Sequence, residues 1–123
     1  LEMLRAETNS NNEKTKSFIK DFNYHLEILS NFSKWIEEKS ITEKDDVSAA
    51  ANDFLKTLGY VSIAYAWLKV LEVSFKDYNE NKTFYDNKIN TAKFYFEKVL
   101  PRAEQHYKSA ITGSSNIMNF KFN

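Results

Sequence analysis

An all-α fold, an antiparallel up-down-up bundle of three long helices, is predicted by three observations. The chain has 123 residues, the size of one domain. Its hydrophobic content of 42% is enough to fill a core. Two glycines and one proline leave little with which to turn a sheet or cradle a phosphate, so glycine-rich nucleotide folds are excluded.

The first helix is predicted between Ser10 and Lys39, where Phe18, Phe22, Leu26, Leu29, Phe32 and Ile36 recur every three or four positions. Ser10 with Glu13 forms a capping-box pattern at its start. Lys39 to Asp46 lacks the period and reads as a short connection, with Thr42 and Asp45, or Asp46 itself, capping the next helix. That second helix carries Val47, Ala51, Phe54, Leu58, Val61, Tyr65, Leu68 and Phe75. Tyr60, Ala64, Trp67 and Leu71 give it a second apolar face. Asn79, Glu80 and Asn81 break the pattern, and Thr83 with Asp86 is a cap-like restart. The third helix runs through Tyr85, Ile89, Ala92, Phe96, Val99, Ala103 and Tyr107 and stops near Gly113. Pro101 should remove the bond toward Glu97 and bend it. From Ser114 onward the chain reads as irregular. Each helix is about thirty residues, roughly 45 Å long, and short connections favour antiparallel neighbours.

The chemistry-bearing residues are few. With no cysteine, disulfides, thiolate metal sites and cysteine nucleophiles are excluded. Basic and acidic side chains balance at 17 each, unlike the basic stripe of a nucleic-acid binder. His25 and His106 lie on different helices and no Glu-x-x-His pair accompanies them, so ligand number fails for a metal site. His25 reads as a hydrogen-bonded core or boundary residue and His106 as facing water. Arg102 and His106 share a helical face. The pair resembles that of helical ribonucleases of the HEPN class, but three residues separate it here where that motif has four to six. Glu37–Glu38 and Asp45–Asp46 are sequence neighbours that diverge on a helix, so neither makes an acid–base dyad. No catalytic, cofactor-binding or metal-binding residue is assigned. No export signal is visible, and Lys69 and Glu72 oppose a membrane span through the second helix. The absence of cysteine fits the cytoplasm.

One stretch, Ala49-Ala50-Ala51-Asn52-Asp53-Phe54-Leu55-Lys56-Thr57-Leu58-Gly59-Tyr60-Val61, is followed by Ala66-Trp67-Leu68. A second comprises Phe84-Tyr85, Lys88, Thr91-Ala92-Lys93-Phe94-Tyr95-Phe96 and Val99-Leu100-Pro101-Arg102. In order and spacing these resemble the extra C-terminal helical domain of long bacterial acyl-CoA dehydrogenases, among them enzymes similar to 3-methylmercaptopropionyl-CoA dehydrogenase. Residues 45 to 118 carry the resemblance, with Ile117-Met118 like the family's end. It implies a parent flavoprotein of fatty acid metabolism that uses FAD to oxidise an acyl-CoA thioester, with its catalytic residues outside this chain. It also implies the parent's catalytic domains as partners and a homo-oligomeric parent.

The start at Leu1 fits excision of the whole chain, 1–123, as a single bundle domain from a larger enzyme. In this reading Gly59 admits a close neighbour, Trp67 adds to the contact surface, and Tyr85, Tyr95 and Phe96 supply facing aromatics. The alternative is an independent helical protein-interaction module, motivated by the doubly apolar second helix.

Overall fold

The computed structural model describes residues 13–112. The expected cap at Ser10, the stop at Gly113 and the segment from Ser114 lie outside them. A single 3-10 turn, Glu13–Thr15, leads into helix α1, Lys16–Thr42. Helix α2 is Lys44–Lys76. After a 3-10 turn at Tyr78–Glu80 comes α3, Lys82–Phe94, then a π-helical turn, Tyr95–Val99, and α4, Arg102–Ile111. The last three pieces form one interrupted rod, and no strand occurs among the described residues. The three-helix bundle is therefore the architecture observed.

The joints differ from expectation. The connection is not Lys39 to Asp46: α1 continues to Thr42 and Glu43 alone separates it from α2. A helix needs no apolar residue to continue for a turn. Ser40 Oγ donates to the Glu37 carbonyl at 2.8 Å, and Lys39 Nζ donates to the Glu43 carboxylate at 3.3 Å, tidying this polar end. Thr42 caps nothing, and Asp45 and Asp46 instead occupy the first turn of α2, where negative charge suits the positive end of the helix. At the next joint the cap is Asn81, not Thr83: its side-chain oxygen accepts from the Phe84 N–H at 3.1 Å.

The third rod yields before its proline. Pro101 has no N–H to give the Glu97 carbonyl, and the helix widens upstream of it. Leu100 N donates to the Tyr95 carbonyl at 2.9 Å, a π-type bond spanning one residue more than an α-helical one. The interruption expected at Pro101 is thus present, displaced a turn toward the N-terminus.

The core lies along a single seam on α2. Ala50, Phe54, Thr57, Val61, Ala64, Leu68, Leu71 and Phe75 advance in alternating steps of four and three, as in a coiled-coil seam. This seam takes members from both of the expected apolar faces and leaves Ala51 and Leu58 outside. Thr57 and Ser74 are buried despite their hydroxyls, which donate to the Asp53 and Val70 carbonyls at 2.9 and 2.7 Å. Against the seam pack Phe22, Leu26 and Leu29 of α1, and Ala92, Tyr95, Phe96, Leu100 and Ala103 of the third rod. Nearer the α1–α2 joint, Phe32, Ala50 and Ala110 form a second cluster, flanked by Trp35, Ile36, Phe54 and Tyr107.

Tyr95 ties the π turn to α2, its hydroxyl donating to the Tyr60 carbonyl at 2.5 Å. Burial pushes this phenol up from 10.0 to about 12, with Tyr60 adding to the effect. The folded pKa exceeds the unfolded one, so the stabilisation is whole below pH 10 and lost as pH rises through about 12. Alkaline titration followed by circular dichroism is expected to show stability falling across that window. Tyr95→Phe is expected to flatten the fall; an unchanged alkaline limb in that variant would assign it to other groups.

Candidate functional site

Helix α2 is apolar on two sides. One is the core seam. The other runs through Ala51, Leu55, Leu58, Ser62 and Ala66 in steps of three and four, and Val73 lies two turns further on, past Lys69. These residues are exposed: Leu55 by 64%, Val73 by 49%, with Ile63 beside them at 50%. No charged residue occurs from Thr57 to Leu68. Solvated helix faces normally carry charge, and extended apolar ones mark interaction sites.

Gly59 lies within this face. A Cβ built on it would meet nothing within 4 Å, so no group of the described chain makes the close approach that its lack of a side chain permits. Tyr95 and Phe96, expected as facing aromatics, are buried in the core instead, and Trp67 packs half-buried against the core's edge. Gly59→Ala is therefore expected to stabilise the chain itself by about 0.5–1 kcal/mol, the helix-propensity difference. Denaturant midpoints measure this, and a loss of stability would reveal crowding at that position.

The face ends in a groove of about 370 Å³ between α2 and α3. Val70 and Val73 of α2 and Phe84 and Tyr85 of α3 provide its apolar lining, and Lys69 and Lys88 line it too. Lys69 Nζ is 3.9 Å from the Glu72 carboxylate and 5.6 Å from the Tyr65 ring centre, whereas Lys88 Nζ is 5.3 Å from the centre of the Phe84 ring.

A few titratable residues link the rods. His106 does not face water: it is half-buried, and its Nδ1 lies 2.7 Å from Asp53 Oδ1 across the α2–α4 contact. The Tyr60 ring stacks on it at 5.9 Å. Thr57 Oγ1 lies 3.4 Å from the Ala103 carbonyl in the same contact. Arg102 remains exposed, so the ribonuclease-like pair divides between a structural histidine and a solvated arginine. His25, 4% exposed, sets Nδ1 2.9 Å from the Asp21 carbonyl oxygen, the satisfied buried histidine expected. Burial pushes the Asp21 carboxyl up, and His25 beside it acts in the opposite direction. Tyr24 donates to Glu104 at 2.6 Å, linking α1 to α4, and that bond chiefly raises its phenol pKa.

Glu37, Glu38 and Asp45 are exposed, while Asp46 is buried at the helix start. Among the described residues no three metal-ligating side chains converge, and no buried side-chain nitrogen or oxygen lacks a partner. The Asp53–His106 pair spans 53 positions, beyond the reach of local sequence patterns. The candidate site is the outer face of α2 with the groove at its end. By length and composition α2 also suffices to cross a membrane, but its inner side is the seam of the bundle.

A family described as acetyl-CoA dehydrogenase C-terminal like matches residues 1–121. No curated protein and no solved structure matches the chain. Nearly the whole length lies within the family match, so the chain belongs to the acetyl-CoA dehydrogenase C-terminal-like family, the C-terminal accessory domains of acyl-CoA dehydrogenases.

Proposed function

We propose that residues 1–123 form the non-catalytic C-terminal helical domain of an FAD-dependent acyl-CoA dehydrogenase. The domain packs through the outer face of α2 against the catalytic part or a neighbouring subunit. The parent is read as a cytoplasmic, homo-oligomeric enzyme of fatty acid metabolism, one of the long members similar to 3-methylmercaptopropionyl-CoA dehydrogenase. The observation that carries the docking role is the second apolar face of α2, free of charge from Thr57 to Leu68, with Leu55, Ile63 and Val73 exposed and Gly59 open to an approach that the described chain does not make. Apolar helix faces of this kind are stable in water chiefly when another surface covers them.

The described residues do not fit a flavin. Their buried polar side-chain atoms are already partnered within the bundle, and the groove between α2 and α3 has no acceptor cluster to read a flavin ring. In this reading FAD and the acyl-CoA are held by the parent's other domains, and this chain contributes position and cover.

The test is the gene and its product. The reading frame is expected to encode acyl-CoA dehydrogenase domains upstream of Leu1, and the intact protein to retain flavin absorbance through gel filtration. A frame opening at Leu1, with a flavin-free product, overturns the proposal and leaves an independent interaction module. In the intact protein, amide exchange is expected to be slowed over residues 51–66 when the neighbouring surface is in place.

A further inference from the structure

We infer that the surface covering this domain presents an apolar anchor flanked by carboxylates, the anchor seated in the α2–α3 groove and the carboxylates paired with Lys69 and Lys88. The inference rests on the docking reading and specifies the chemistry of the partner surface. The groove's volume, about 370 Å³, suits a large side chain, and its lining of Val70, Val73, Phe84 and Tyr85 favours an aromatic or branched aliphatic one. The charge on its lining is of one sign. Lys69 and Lys88 come from different helices, and no acidic residue lines the groove.

The chain as a whole is neutral, so this local excess is an arrangement of the fold and not of composition. Lys69 Nζ lies 3.9 Å from the Glu72 carboxylate, and between half-exposed side chains such a contact is a weak one. Lys88 lies over the Phe84 ring, which holds its ammonium beside the apolar lining. Acidic groups facing these lysines would fix the register of an otherwise slippery apolar contact. The groove adjoins Val73 at the end of the outer face, so one surface can engage both.

Zero-length carbodiimide crosslinking of the intact protein, read by mass spectrometry, tests this directly. Crosslinks are expected from Lys69 and Lys88 to aspartate or glutamate outside this chain or in a second subunit, with yields falling as salt is raised. Lys88→Gln and Lys69→Gln should each remove their own crosslink and leave the other. Crosslinks confined to Lys69–Glu72 and other pairs within the chain overturn the inference. Slowed amide exchange over 51–66 without external lysine crosslinks leaves the docking reading standing and removes the acidic partner. Absence of both removes the two together.

Discussion

Replacing Phe32 with alanine is expected to cost about 3–5 kcal/mol, the range for emptying an aromatic site in a packed core. The ring is fully buried and is met from three directions. Phe54 of α2 stands edge-on at 5.2 Å and Trp35, one turn along α1, edge-on at 6.2 Å, while Tyr107 of α4 lies tilted at 5.3 Å. Its neighbours are large and mutually braced, so they are poorly placed to collapse into the space. Edge-to-face contacts add about 0.5–1.5 kcal/mol beyond burial, and a domain's whole stability is about 5–15 kcal/mol. The melting temperature is expected to fall by roughly 10–20 °C. Phe94→Ala is the matched control: that ring is 60% exposed, and its removal should change stability by less than about 0.5 kcal/mol. Equal effects from the two substitutions would show that the smaller core cluster does not hold the α1–α2 end together.

The same rings show what the sequence could convey. Phe22, Leu26, Leu29 and Phe32 were legible on α1 because Lys20, Glu27, Lys34 and other charges occupy the remaining face, so the period has a direction. Helix α2 gives existence but not orientation. When both faces are apolar, periodicity fits two stripes equally, and the buried seam draws from each. Thr57 and Ser74 were invisible as core residues because their burial depends on a hydroxyl returning its bond to the carbonyl four residues back. Pro101 announced an interruption, yet where the strain is absorbed depends on Tyr95 and Phe96 fixing the preceding turn in the core. The Asp53–His106 pair needed the antiparallel register of two rods before either residue had a partner. The outer apolar face was legible as an excess of apolar area, and its groove was not, because its lining comes from two helices.

Placing glutamate at both Leu55 and Ile63 is expected to detach this domain from the surface it covers while leaving its own fold intact. Both side chains are at least half exposed, so little core packing is lost, and glutamate is a good helix former. Circular dichroism of the chain should therefore keep its helical signal, with a stability change within about 1 kcal/mol. In the intact protein the outcome differs, because two carboxylates would be pressed against an apolar surface without partners. An unpaired buried charge costs about 3–5 kcal/mol, and even one such charge weakens a contact by roughly 100-fold or more. Faster amide exchange over residues 51–66 and easier proteolytic release of the domain would report the separation. Ile41→Glu supplies the comparison, since Ile41 is 80% exposed in the last turn of α1 and is not part of this face, and its substitution should release nothing. Unchanged exchange and proteolysis in the double variant would mean that the outer face of α2 remains in water in the intact protein, and the docking reading would fail with it.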